Sequence, residues 1–413
     1  MRHTKAHVVS RHILSAWVVF ALIILVVNVT DNAHWLGQPW WVSVHTVTLG
    51  LIGTSILTWS WHFAAALLRF GDRGDAGQTT RLICFTVGAV VLMGAMFTHA
   101  FRFALLGGVV ILGAVCWHAA ALAVAFLKAP FRSKFAVLAA YYIFACFFLI
   151  VGIGLAFFAV WDMLGSPPSR VSAWREAATS AHALVNVTGF IGLTLLGTLV
   201  TLGPTIFRTR MDPSAAQSAK LALPLLVMCI FGVGVAALFQ SPEAMCLAVG
   251  LYSLCALLVL VPVFKVGWGK RPGDFAALSL VCGLAWVVAG FVAIAVGTVL
   301  ALRAGGLRPL MQTPLTIVLM GVVQIVLAAM SYLFPVLIGG GPRCVKTALR
   351  YINSYREVRL FILNASGVAA LLLPAGGSAL GWALAGLALL WSFVVLIHAS
   401  VRQALLRRNH AAA

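Results

Sequence analysis

The chain has 413 residues, of which 62% are hydrophobic and only 9% are charged, and its formal net charge is +19. With a mean hydropathy of +1.05, this composition excludes a soluble fold with an ordinary polar surface. The positive charge is spread over short segments between apolar runs, so we expect contact with anionic membrane lipid and no nucleic-acid binding.

Twelve apolar runs follow one another along the chain, and about 20 apolar residues in a helix are enough to cross a membrane. From the N-terminus the runs cover residues 11–29, 41–69, 82–98, 103–127, 135–163, 174–206, 219–239, 244–264, 275–301, 311–338, 360–374 and 378–401. Of the 28 Lys and Arg residues, 23 lie in alternate breaks between runs and in the C-terminal tail. Because basic residues are retained in the cytoplasm during insertion, this distribution predicts twelve spans with both termini cytoplasmic.

We therefore expect an all-α, polytopic membrane bundle of about twelve transmembrane helices, which forms one integral membrane domain over residues 1–413 in the bacterial cytoplasmic (inner) membrane. The nine acidic residues lie in breaks or at the ends of runs, which disfavours a carrier coupled to an ion gradient. The eight cysteines include no C-x-x-C pair, so a structural zinc site or an iron–sulfur cluster is not expected.

Histidine is the ionisable residue that does enter the runs. His45 and His182 lie near the start of the second and sixth runs, and His99 closes the third, all on the predicted extracytoplasmic side. His62 and His118 lie toward the cytoplasmic side. Neutral imidazole binds haem iron and copper without burying a charge. An alternative is that each histidine only forms a hydrogen bond across a helix interface.

Among these residues, His45 and His182 are the preferred ligands for haem b or copper, with His99 next and His62 with His118 as an inner pair. His45, His182 and His99 are also the predicted metal-binding set. Two polar residues are expected to support the ligands. Asn186 follows His182 by one helical turn, and Gln312 begins the tenth run.

The second, sixth and tenth runs also resemble one another. Each begins with a polar residue on the extracytoplasmic side and continues through small residues, and the three runs are four spans apart. This pattern predicts three repeat-like units, over residues 11–134, 135–271 and 272–408, with a pseudo-threefold arrangement of four-helix units. The spacings differ, since Gly50 and Gly53 follow His45 by five and eight residues, whereas Gly189 and Gly192 follow His182 by seven and ten. The small residues could therefore serve close helix packing alone.

Twelve spans with histidines that open the second and sixth resemble the haem–copper oxidase superfamily and, more loosely, the NnrS family of haem- and copper-containing membrane proteins. That resemblance implies a haem ligand at His45 and a copper ligand at His182. The tenth run departs from the pattern, because Gln312 and Thr313 stand where an H-x-H pair would be expected, and the seventh run has no histidine. Oxygen-reducing activity is therefore not implied, and whether the chain is an enzyme stays open.

Two stretches carry a closer resemblance, GFIGLTLLGTLVTLGPTIFRTRM at residues 189–211 and SYLFPVLIGGGP at residues 331–342. They are similar to the N-terminal membrane module of actinobacterial proteins that end in a multicopper oxidase or copper nitrite reductase-like domain. The resemblance implies electron transfer to or from an extracytoplasmic copper enzyme, or a role in nitric oxide or nitrite metabolism. Two alternatives are a membrane transporter or permease, and a non-catalytic membrane anchor for a copper oxidase.

Overall fold

The computed structural model describes residues 5–29, 39–70, 75–129, 134–268, 272–304 and 312–412. Over these ranges the chain forms fourteen helices and no strand. Twelve helices are long, namely α1 (Lys5–Val29), α2 (residues 39–68), α3 (Asp75–Phe97), α4 (Phe101–Leu127), α5 (Val137–Leu164), α7 (residues 175–206), α8 (Ala215–Leu238), α9 (Pro242–Trp268), α10 (Phe275–Ala304), α11 (Gln312–Ile338), α13 (Arg356–Leu372) and α14 (Ala375–Ala412). The two shorter helices are α6 (Ser169–Ser172) and α12 (Gly341–Ile352).

Each of the twelve apolar runs corresponds to one long helix, and ten of these helices are long and apolar enough to cross a membrane. The other two are α1, whose apolar part is Val8–Ile24, and α13, which has 17 residues. Large apolar side chains, such as Phe103 and Leu127, remain exposed on the outside of the helices, where they contact lipid. The prediction of an all-α, multi-pass membrane bundle is thus confirmed.

The three spans that resemble one another in sequence are also the most buried. About 61%, 67% and 61% of the most apolar windows of α2, α7 and α11 lie inside the protein, against 28–50% for the other seven spans. These three helices therefore form the inside of the bundle, and the remaining spans surround them.

Both α2 and α7 contain a π-helical segment, Thr46–Gly53 in α2 and Asn186–Ile191 in α7. In each segment a glycine lets an aromatic ring from a neighbouring helix approach the backbone. A Cβ atom at Gly50 would lie 2.6 Å from the indole of Trp17 on α1, and one at Gly189 would lie 2.5 Å from Phe148 on α5. Since α1 and α5 are the spans that precede α2 and α7, the two regions are built alike.

Glycines also join neighbouring spans closely elsewhere in the bundle. Gly88 of α3 packs against Gly107 of α4, and Gly283 of α10 packs against Gly321 of α11, in each case backbone to backbone. A side chain at any of the four positions would meet the facing helix within 3.0 Å. Small residues at such crossings allow the dispersion contacts that hold membrane helices together.

Helix α12 was not predicted, and its sequence explains its position. Cys344, Ala348 and Ile352 recur every four residues and are buried, whereas its three basic residues are exposed. The chain turns into this helix through Gly339, Gly340 and Gly341, whose φ angles are +66°, +91° and +85°, a conformation that only glycine adopts readily. An amphipathic helix of this kind suits a membrane surface.

Buried polar side chains donate hydrogen bonds to carbonyl groups at the C-terminal ends of α11 and α12. The guanidinium of Arg359, which is 1% exposed, donates to the carbonyl oxygens of Ile352 and Ser354 and lies 4.1 Å from the ring centre of Phe275. The amide of Gln403 donates to two carbonyls at the end of α11. These bonds satisfy carbonyl groups that a helix end leaves without partners.

A buried hydrogen-bond cluster joins three helices in the last third of the chain. The side-chain oxygen of Asn364 on α13 accepts from the indole nitrogen of Trp286 on α10 at 2.6 Å and from the amide of Gln324 on α11 at 3.1 Å. Interhelical bonds of this kind contribute modestly to the stability of membrane bundles. The amide of Gln324 thus faces α13 rather than α2 or α7.

Candidate metal centre

The two histidines preferred as ligands lie next to each other. The imidazole of His45 on α2 and that of His182 on α7 have their ring centres 6.2 Å apart, with an angle of 22° between the ring planes. Both residues are half-buried. We refer to these two residues as the histidine pair.

Each imidazole of the histidine pair is held through Nδ1 by a backbone carbonyl. His45 Nδ1 lies 2.8 Å from the carbonyl oxygen of Trp41, and His182 Nδ1 lies 2.8 Å from that of Gly152 on α5. A carbonyl oxygen can only accept a hydrogen bond, so these contacts assign the proton to Nδ1 in both rings. The amide nitrogen of Asn186 also lies 3.2 Å from His182 Nδ1, but it donates to the nearer backbone carbonyl of His182. Nε2 of each neutral ring therefore keeps its lone pair, which is the form that binds a metal.

Neighbouring side chains fix the two rings further. The indole of Trp41 stacks on the imidazole of His45, with ring centres 3.9 Å apart. Asn186 lies beside His182, as predicted for a supporting residue, and its amide nitrogen donates to the backbone carbonyl of His182 at 2.9 Å. The side-chain oxygen of Asn186 is buried and has no hydrogen-bond partner in the described part of the chain. This oxygen lies against the backbone of Gly152, because a Cβ atom there would be 2.5 Å away from it.

The π-helical segments explain why the two rings can meet. His45 is the last residue before the segment in α2, and Asn186 is the first residue of the segment in α7. A π-helical turn inserts an extra residue and rotates the preceding side chains relative to the rest of the helix, and such turns are frequent at functional sites. A π-helical segment thus orients the histidine on each of the two helices.

The distance between the two ring centres of the histidine pair is close to that expected for two imidazoles on one metal ion. Metal–nitrogen bonds are about 2.0–2.1 Å and the ring centre lies about 1.1 Å further, so two imidazoles in line across one ion have centres about 6 Å apart. The observed value is 6.2 Å.

The other predicted ligands lie apart from the histidine pair. His99 is exposed and occupies the turn after α3 with a φ angle of +53°. Gln312 is the first residue of α11, and its side chain lies outside the described part of the structure. Among the described residues, no group of three or more His, Cys, Asp or Glu side chains is arranged to hold a metal ion. The pair, rather than a three-histidine set, is what the fold assembles.

The two histidines of the predicted inner pair have different neighbours. The ring of His62 contacts those of Trp59 and Phe63. The fully buried ring of His118 on α4 instead bonds through Nε2 to the hydroxyl of Ser60 at 2.9 Å. The Nδ1 atom of His118 is buried without a partner in the described chain.

Sequence reasoning missed a buried polar cluster around His118. Arg81 of α3 is only 3% exposed, and its guanidinium lies between the indoles of Trp61 and Trp117, 4.7 Å and 5.6 Å from their ring centres. It also donates to the side-chain oxygen of Gln78, one turn earlier, at 2.8 Å. Because Arg81 lies among the basic residues of a polar break in the sequence, this cluster was not predicted. Gln78 and Arg81, one helical turn apart at the start of a span, could have indicated a buried polar pair.

An apolar cavity lies between the three inner helices, farther along α2 and α7 than the histidine pair. Its volume is about 80 Å³, and its walls come from α2, α7 and α11 with one leucine of α10. We refer to it as the central cleft. None of the described residues that line it is charged.

Comparison with known proteins gives no match, either to a protein-family model or to a curated protein. The fold and the site define a multi-pass helical membrane protein in which two imidazoles lie next to each other. The resemblance to haem–copper oxidases and related membrane modules stays a prediction.

Proposed function

We propose that this chain is a redox protein of the bacterial cytoplasmic membrane, with both termini in the cytoplasm, that binds a copper ion at the histidine pair. The proposal rests on one observation, the 6.2 Å approach of two imidazoles whose Nδ1 atoms are both held by backbone carbonyls. Its work would be electron transfer to or from an extracytoplasmic copper enzyme, or a step in nitric oxide or nitrite metabolism.

Copper with imidazole ligands supplies one-electron chemistry without a buried charge on the protein. Haem b, coordinated by one of the two rings, is the second candidate cofactor. The protein's own residues orient the ligands, because the carbonyls of Trp41 and Gly152 fix the tautomer and direction of the rings.

The test compares the wild-type protein with His45→Ala and His182→Ala, expressed with copper and haem supplied. The control is His398→Ala, because His398 lies on α14 against Tyr351, away from the histidine pair. We expect one copper per chain in the wild type and the control, and less than a tenth of that in either pair variant. A Soret band that is lost in only one of the two variants would indicate haem b instead.

The same variants separate this function from the two alternatives. If wild-type protein binds neither copper nor haem, the redox proposal is wrong. If a copper enzyme copurifies with the chain and keeps its activity in both pair variants, the chain is an anchor. A transporter would move a solute across proteoliposomes at a rate that both variants retain.

A further inference from the structure

We infer that the central cleft is the binding site of a lipid-soluble quinone, a ligand that the histidine pair does not require. The cleft extends along α2 from Ile52 to Phe63, which corresponds to about 17 Å of helix. It is apolar over nearly its whole surface and lies inside a membrane bundle. A cavity with this length and lining takes a molecule that is already dissolved in the bilayer.

Four hydroxyl-bearing residues line the central cleft, Ser55, Ser60, Thr194 and Thr198. Two of them, Ser60 and Thr198, bond to a side chain that lies behind the wall. The hydroxyl of Ser60 on α2 lies 2.9 Å from Nε2 of His118, and that of Thr198 on α7 lies 3.1 Å from the hydroxyl of Tyr142. Both Ser60 and Thr198 line the central cleft. When His118 or Tyr142 donates, the hydroxyl hydrogen of its partner is free to bond to a ligand.

The two hydroxyls lie at matching depths on two different walls. Ser60 follows the last π-helical residue of α2, Gly53, by seven positions, and Thr198 follows the last one of α7, Ile191, by seven positions. Seven residues correspond to about 10 Å of helix in both cases. A flat ring bound between α2 and α7 would then have one of these hydroxyls on each of the two helices beside it.

The hydroxyls of Ser60 and Thr198 on otherwise apolar walls favour a quinone over other lipophilic molecules. A 1,4-quinone carries two carbonyl acceptors on opposite edges of a flat ring, and its isoprenoid tail is apolar. An acyl chain has no group to bond with the hydroxyls, and an anionic lipid finds no charged residue among those described in the lining. The rings of Trp59 and Phe63, whose centres are 6.0 Å apart, supply flat apolar surface beside Ser60.

The binding experiment uses the purified full chain in nanodiscs and decyl-ubiquinone as the probe, with quenching of tryptophan fluorescence as the signal. We expect saturable binding of one quinone per chain. Ala329→Trp, which fills the cleft from α11, should weaken binding more than tenfold. Ser60→Ala and Thr198→Ala should each weaken it about twofold to tenfold, as expected for the loss of one hydrogen bond.

Two matched controls guard against general effects of the substitutions. Ala365→Trp places the same side chain on an exposed position of α13, and Ser253→Ala removes a hydroxyl on α9 that bonds only to the backbone of its own helix. Both controls should bind the quinone as the wild type does. The double variant of His45 and His182 should also bind it normally, since the cleft contains neither residue; this result separates the quinone site from the metal proposal.

Three outcomes would overturn the inference. The wild type does not bind the probe, or Ala329→Trp binds it as tightly as Ala365→Trp, or dodecanol competes as well as the quinone does. The last result would mean that the cleft holds an acyl chain. A melting temperature measured for every variant distinguishes a lost site from a protein that no longer folds.

Discussion

A methyl group added at Gly152 tests how the histidine pair is held without altering either imidazole. The carbonyl oxygen of Gly152 accepts a hydrogen bond from Nδ1–H of His182. A Cβ atom added at Gly152 would lie 2.5 Å from the side-chain oxygen of Asn186. Either α5 or Asn186 must move to accept the substitution. Gly152→Ala should therefore change the orientation of the His182 imidazole and also displace the side chain of Asn186.

The magnitude follows from a comparison with Gly154→Ala on the same helix, where a Cβ atom would meet nothing within 4 Å. Both substitutions gain about 0.8–1 kcal/mol of helix propensity, so this term cancels between them. Overpacking at Gly152 should leave its variant about 1–3 kcal/mol less stable than the Gly154 variant. The affinity for copper should fall about 10–100-fold, as for other losses of support around a metal ligand.

Two assays measure these differences separately. Unfolding in sodium dodecyl sulfate gives the relative stabilities, and a competitive titration with a copper chelator gives the affinities. If Gly152→Ala matches Gly154→Ala within a factor of two in affinity, the bond from His182 to Gly152 does not orient a metal ligand. Equal stabilities of the two variants would contradict the close contact with Asn186 itself.

Three further predictions concern the scaffold. Arg359→Met removes the guanidinium that caps the end of α12 and should destabilise the protein by about 2–4 kcal/mol, whereas the exposed Arg350→Met should have little effect in the same detergent unfolding assay. Asn364→Leu removes the acceptor that the indole of Trp286 and the amide of Gln324 share and should destabilise the protein by about 1–3 kcal/mol; an unchanged unfolding midpoint would contradict the cluster. The hydroxyl and backbone N–H of Ser214, and then Lys265, lower the pKa of the Asp212 carboxyl below its ordinary 3.8. The charged carboxylate of Asp212 therefore stabilises the folded protein above pH 3.8, and this stabilisation is lost as the pH falls through the lowered pKa. Asp212→Asn should therefore lower the melting temperature at pH 7, and the difference from wild type should narrow below about pH 4; a difference that is the same at both pH values would contradict this assignment.

The long helices could be predicted because the length of an apolar run decides whether a segment crosses the bilayer. Helix α12 could not be, since its exposed basic residues, Arg343, Lys346 and Arg350, resemble a cytoplasmic loop in composition. Its buried positions recur every four residues, but over only 12 residues this period is weak beside the charge. Amphipathic helices at a membrane surface are therefore easily mistaken for loops.

The depth of His45 and His182 in the membrane could be predicted from the sequence, but the direction in which their side chains point could not. Position along a run gives the level of His45 and His182 in the membrane, whereas the rotation of each helix depends on tertiary packing. The π-helical segments set that rotation, and they depend on contacts such as that of Trp17 with Gly50, which the order of residues does not reveal. The same limit explains why His118 was expected beside His62, although its ring bonds to Ser60.

The three inner helices do not contribute equally to the two sites. Helices α2 and α7 supply both imidazoles of the histidine pair and the four hydroxyl-bearing residues of the central cleft, while α11 lines the cleft with apolar side chains only. The polar Gln324 of α11 bonds instead to α13. Substitutions in the α11 wall should therefore change which lipophilic molecule enters the cleft and leave metal binding unaltered. Ser60 and Thr198 follow His45 and His182 by 15 and 16 residues, which corresponds to about 22–24 Å of helix rise. The two sites therefore lie at different depths of the same two helices, and metal binding at normal affinity in Ala329→Trp would show that they are separable.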